Sequence, residues 1–170
     1  MGTYSSGQAN LHCIRDSMSD KILSALEPSA VLLQSSAADK SEVITELGNR
    51  LYRARYVKES FVEAALARER ELPTGLPLDG KFNAAIPHTD VEHVISPGLA
   101  LATLSKPVMF KNMVSPEEDV PVQLVILMAL DQPKSQVEML QEISQVLQNK
   151  ETIERLMAAR SYSDVEKAFK

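Results

Sequence analysis

The run Leu124-Val125-Ile126-Leu127-Met128-Ala129-Leu130 decides the fold. An unbroken apolar stretch of this length reads as a β-strand buried on both faces, which places it inside a sheet with cover on each side. Working back from it, Val108 to Phe110 reads as a short edge piece and Leu99 to Leu104 as another strand. Asn83 to Pro87 is a further short strand that runs out at Pro87, because proline has no amide to donate to a sheet ladder. Working forward, Pro133 suits a helical first turn, and Val137, Leu140, Ile143 and Leu147 continue an amphipathic helix to about Gln148. Shorter helices are predicted at Thr152 to Ala159 and Ser163 to Phe169.

The first half supplies the remaining cover. Ala30 to Leu33 suits a first strand, and a helix follows it. Asp39 with Glu42 three residues on resembles a capping box, and Val43, Leu47 and Leu51 recur at helical spacing. A second helix is predicted from Lys58 to about Arg70, with Phe61, Val62, Ala65 and Leu66 on one face. Pro73, Gly75, Pro77 and Gly80 then impose a loop. The order of elements gives an α/β (α+β) fold, a mixed central sheet flanked by helices. Residues 1–17 show no apolar periodicity, and Met18-Ser-Asp-Lys reads as a second natural start. Residues 1–17 are therefore expected to be a tag or dispensable leader, and 18–170 a single domain.

Composition excludes several functions. The chain has 170 residues, 18 Lys plus Arg against 23 Asp plus Glu, and a formal net charge of -5, which argues against nucleic acid and anionic membranes as partners. The single cysteine, Cys13, cannot make an internal disulfide or a CxxC site, so a reducing cytoplasm is expected. No apolar run approaches a spanning helix. Walker A, GxGxxG and GxSxG patterns are missing, so neither nucleotide-dependent nor serine-hydrolase chemistry is indicated. Met109, Met113, Met128, Met139 and Met157 are expected to pack in the core.

Chemistry concentrates around Arg68, His88 and His93. A histidine fixed by a preceding proline at a strand exit is exposed and oriented, which suits a nucleophile or a ligand; a surface histidine without a task fits the spacing equally. His88, Asp90, Glu92 and His93 bring metal donors into one loop, but the spacing matches neither HExxH nor a zinc-finger pattern, and solvated roles are favoured for the two acids. Arg68, near a helix C-terminus, is favoured there by the helix dipole and can equally offer two parallel donors to an oxyanion.

Arg68-Glu69-Arg70-Glu71-Leu72-Pro73-Thr74-Gly75 followed by Ala85-Ile86-Pro87-His88 resembles the signature of phosphotransferase-system enzyme IIA domains of the fructose/mannitol type. The longer loop from Pro77 to Asn83 and the placing of His93 five residues after His88 are similar to galactitol-type IIA proteins. The resemblance runs from about Asp39 to Phe169. It implies a phosphotransferase, a cytoplasmic phosphocarrier of a sugar transport system. His88 would accept a phosphoryl group from the phosphohistidine of the carrier protein HPr and pass it to a cysteine of a IIB component, which serves a IIC membrane transporter. It implies no cofactor and no metal. Several mannitol- and nitrogen-type relatives carry a second histidine near the start of the helix after the last strand; here that position is Gln136, as galactitol-type sequences also tend to lack it.

The residue chemistry agrees with that task. Neutral imidazole is a competent nucleophile, and a hydrogen bond to its other nitrogen would fix the attacking tautomer. Phosphoryl transfer asks for in-line positioning and donors to the equatorial oxygens, which the Arg68 guanidinium can supply. Thr74 and Thr89 can donate hydroxyls or cap their turns, with the turn role favoured for Thr74. His93 can donate to the phosphate or make a structural hydrogen bond, and Gln136 offers an amide donor. Leu72, Leu76, Ala84, Ala85 and Met113 are expected to form an apolar collar for partner docking. A regulatory module, whose histidine phosphorylation controls a protein partner, is the alternative.

Overall fold

The computed structural model describes residues 19–170; the expected leader, with His12 and Cys13, lies outside them. The elements run α1 (residues 19–25), β1 (Leu26–Ser35), α2 (Lys40–Arg53), α3 (Phe61–Glu71), β2 (Gly75–Leu76), β3 (Asn83–Ala85), a 3-10 turn (Val91–His93), β4 (Gly98–Lys111), β5 (Asp119–Ala129), α4 (Pro133–Leu147), α5 (Lys150–Ala158) and α6 (Tyr162–Phe169). The strands form one mixed sheet in the order β1-β4-β5-β3-β2. β1 lies parallel to β4, β4 antiparallel to β5, β5 parallel to β3, and β3 antiparallel to β2.

The apolar run lies in β5, the middle strand, and alternates faces as strand geometry requires. Leu124, Ile126 and Met128 join a core with Ile22, Ile143, Leu147, Ile153, Leu156, Val165 and Phe169 from α1 and α4–α6. Val125, Leu127 and Ala129 face the opposite way, into a core with Val43, Ile44, Leu47, Leu51, Phe61 and Ala65 from α2 and α3. The sheet is therefore covered on both faces, as the sequence requires. Asp39 caps α2, its carboxylate accepting from the Glu42 amide at 2.8 Å, while the Glu42 side chain accepts from the Ala38 amide at 2.7 Å. This is the predicted capping box, shifted back by one residue.

Several expectations need correction. Val108 to Phe110 is no separate edge piece: it is the far half of β4, continuous with Leu99 to Leu104 and paired to β5 from Val108 opposite Val122 to Lys111 opposite Asp119. A register shift between Thr103 and Val108 admits Pro107, and β1 ends opposite Leu104, so no neighbour on that side needs the missing amide. Met109 consequently points outward and is exposed. The second helix starts at Phe61, because Lys58 donates instead to the His93 carbonyl at 2.9 Å and Val57 bridges Val94. Residues 19–25, given no helix by the periodicity, are helical; Ile22 is buried there and Lys21 pairs with the buried Glu142 at 2.9 Å. Gly75 and Leu76, expected in a loop, form β2. Its close approach explains the glycine: a Cβ on Gly75 would lie 2.5 Å from the Lys111 carbonyl oxygen, backbone that cannot swing aside.

Candidate functional site

His88 follows β3 and lies beside the C-terminal end of β5. The Pro87 carbonyl accepts from the Met128 amide at 3.0 Å, and His88 bridges Met128. Crevices at the carboxyl ends of parallel strands are the usual place for ligand chemistry in α/β sheets. The ring is half-buried, and its Nδ1 lies 3.0 Å from the Ile86 carbonyl oxygen. A carbonyl only accepts, so Nδ1 is the donor, and in the neutral ring the lone pair then lies on Nε2. The local sequence thus orients the ring: Ile86 is anchored in the core, Pro87 ends the strand, and the backbone oxygen two residues back faces Nδ1.

The loop after His88 is held on two sides. From α4, the Gln136 amide donates to the Thr89 carbonyl at 2.9 Å. From α3, Arg68 Nη1 donates to Asp90 Oδ1 at 3.1 Å near the helix C-terminus, and Ser60, which precedes the helix, bonds His93 Nδ1 at 2.8 Å. His93 Nε2 lies 3.4 Å from Glu92. Arg68, Thr89 and Gln136 are therefore gathered around the His88 loop, whereas the His93 side chain is committed to Ser60 and Glu92 and fastens the loop to the far end of α3. Thr89 is buried. The donors considered for a metal point to different partners, and among the described residues no group of three or more His, Cys, Asp or Glu side chains converges on one point.

Thr74 takes the turn role. Its amide and its hydroxyl donate to the two carboxylate oxygens of Glu69 at 2.9 and 2.8 Å, which closes the turn between α3 and β2. Glu69 is only 2 % exposed. Burial pushes its carboxyl above the ordinary glutamate range, against the two Thr74 hydrogen bonds and Lys40, which favour the charge. Replacing Glu69 by Ala leaves both Thr74 donors without an acceptor and should cost about 2–4 kcal/mol, read as a urea midpoint. The raised carboxyl binds a proton in the folded protein at pH values where the unfolded chain has released it. The Glu69 contribution to stability is thus greatest below the ordinary glutamate pKa and falls as pH rises through the folded value. Glu69→Gln should remove that decline, and an unchanged pH slope would contradict it.

The expected apolar collar is corrected. Ala84 and Ala85 are fully buried in the two cores and present nothing to a partner, while Leu72 is exposed and Leu76 packs partly against the core. Val137, placed by its spacing on the apolar face of α4, is instead exposed, one residue past Gln136. A hollow of about 460 Å³ lies away from His88, between the Leu76–Phe82 segment and Leu147, Lys150 and Ile153. Among the described residues no helix is long and apolar enough to cross a membrane.

The domain is a doubly covered mixed sheet with an oriented imidazole at a strand exit and a guanidinium held by the carboxylate two residues along the loop. The chain belongs to the family described as phosphoenolpyruvate-dependent sugar phosphotransferase system EIIA 2, whose model matches residues 24–170. It is 33 % identical over 122 residues to the galactitol-specific EIIA component of Escherichia coli K12, covering 72 % of this chain and 80 % of that one. The crystal structure of the mannitol IIA from Escherichia coli superposes with a TM-score of 0.72 at 28 % identity, covering 85 % of this chain and 99 % of that one. The enzyme IIA of the Escherichia coli mannitol system, in complex with its phosphorylated enzyme IIB, matches with a TM-score of 0.69 at 27 % identity, over 85 % of this chain and 96 % of that one. The chain is accordingly a IIA component of the phosphotransferase-system type.

Proposed function

We propose that residues 18–170 form one phosphocarrier domain acting in the cytoplasm, in which His88 accepts a phosphoryl group from phospho-HPr and passes it to a cysteine of a cognate IIB. The IIB would serve a IIC transporter of a sugar or sugar alcohol, galactitol-like in kind. The observation that carries this reading is the Nδ1–H of His88 donating to the Ile86 carbonyl, which leaves Nε2 as the open nucleophile. Family membership, the galactitol-specific relative and the IIA–IIB complex of the mannitol system support it.

The reaction balances without a cofactor. The lone pair of Nε2 attacks phosphorus in line, the P–N bond to the donor histidine breaks, and that electron pair returns to the donor ring. No proton needs to leave His88: the ring keeps Nδ1–H, and the Ile86 carbonyl faces the positive charge the ring then bears. A protonated ring is a good leaving group, so a IIB thiolate attacks phosphorus, the P–Nε2 bond breaks, and His88 returns to its starting form. Arg68 supplies charged donors to the phosphoryl oxygens, and the Thr89 hydroxyl is a further donor. Gln136 holds the loop through the Thr89 carbonyl, while Thr74 and His93 support it structurally.

Incubation with phosphoenolpyruvate, enzyme I and HPr should add one acid-labile phosphoryl group, which then leaves on addition of a galactitol-type IIB. No uptake from phospho-HPr would overturn the carrier role. Uptake without transfer to any IIB would replace the transport reading with the regulatory one.

A further inference from the structure

The Asp90 carboxylate engages the one guanidinium assigned to the phosphoryl group. Arg68 Nη1 lies 3.1 Å from Asp90 Oδ1, and Asp90 stands two residues beyond His88. The Nε–H of the same guanidinium is buried and has no acceptor among the described residues. A guanidinium has a fixed set of donors in one plane, so an anion arriving at His88 must share or displace the carboxylate already seated on it. The pair is open to solvent, with side chains 34 % and 67 % exposed, so exchanging one anion for the other carries no large desolvation penalty.

We infer that Asp90 is a positioning residue that holds Arg68 in the unphosphorylated protein and competes with the phosphoryl group for it, which keeps phospho-His88 easy to discharge. This rests on the reading of His88 as acceptor. A carrier must give up its cargo as readily as it takes it, and an arginine free to clamp the phosphoryl group would make His88 a trap. A carboxylate on the same fork raises the energy of the loaded state, because loading must break the resting ion pair or crowd two anions onto one cation. Asp90 also ties the loop to α3, and this simple clamping role predicts the opposite sign: loss of the clamp would disorder the site and weaken loading.

The test is the equilibrium between ³²P-labelled phospho-HPr and the protein. Asp90→Asn keeps the shape and an oxygen acceptor for Arg68 but removes the charge. It should raise the equilibrium constant for loading about two- to fivefold, the range expected for an exposed ion pair, and the rise should shrink in high salt. Return of the phosphoryl group to HPr should slow by a similar factor. In an Arg68→Gln background, allowed to reach equilibrium, Asp90→Asn should leave the constant unchanged, because the competition acts through Arg68. Asp90→Ser provides a second variant with the same expectation. An unchanged or lowered constant in both single variants would overturn the inference, as would an equal rise in the Arg68→Gln background, which would indicate direct repulsion by Asp90 instead. Wild-type protein that takes no label would bring down the acceptor reading and this inference together; normal wild-type loading with no shift would bring down this inference alone.

Discussion

His88→Ala should take up no phosphoryl group from phospho-HPr under conditions that label the wild-type protein stoichiometrically. The expectation rests on how the imidazoles are engaged. His88 Nδ1 donates to the Ile86 carbonyl, and Nε2 has no hydrogen-bond partner among the described residues. His93 has Nδ1 against Ser60 at 2.8 Å and Nε2 near Glu92 at 3.4 Å, so it cannot take over without breaking the ties between the loop and α3. The substitution removes a half-buried ring and one hydrogen bond, at a cost to stability of about 1 kcal/mol. The variant should therefore unfold close to the wild-type temperature while carrying no label. Persistent labelling of a folded His88→Ala protein would move the acceptor elsewhere.

The second large effect belongs to Arg68. Phosphoryl transfer requires little covalent help from a protein beyond positioning and charge, so removing the cation that meets the equatorial oxygens acts on the transition state itself. Arg68→Gln should slow single-turnover transfer from phospho-HPr by about 10²- to 10³-fold, the usual cost of deleting one preorganised donor to a developing anion. Arg68→Lys should recover part of the rate, since it restores the charge but not the planar pair of donors. Stability should change little in either variant, because the ion pair with Asp90 is partly open to solvent and such pairs contribute little. Transfer by Arg68→Gln within a few-fold of wild type would assign the stabilising role to another group.

What the sequence discloses, and what it hides, follows from the range of the interactions concerned. The seven-residue apolar run, the Asp39–Glu42 cap and Pro133 at the start of α4 are local signals, and each marks an element of the fold. The tautomer of His88 is nearly as local, because its acceptor lies two residues back. Pro107 conceals the continuity of β4, since a proline reads as a break unless the neighbouring strand is known to end before it. Glu69 lies within the run of charges Arg68-Glu69-Arg70-Glu71, and only the fold shows that the second of them turns inward to Thr74. Its one visible signal is a Thr between Pro73 and Gly75, a turn whose donors need an acceptor. Asp90 is hidden for the same reason: its partner stands 22 residues away, and nothing in spacing links an acid in a loop to an arginine on a preceding helix.

In the proposed relay one atom, Nε2 of His88, carries the phosphoryl group while Nδ1 keeps its proton. Nitrogen-15 and phosphorus-31 NMR of the histidine-labelled protein, recorded before and after incubation with phospho-HPr, addresses that atom directly. Phosphorus coupling is expected to a single ring nitrogen, Nε2 of His88, with the Nδ1 proton present in both states and the His93 ring unmodified. Phosphorus coupled to Nδ1 of His88, or to either nitrogen of His93, would contradict it.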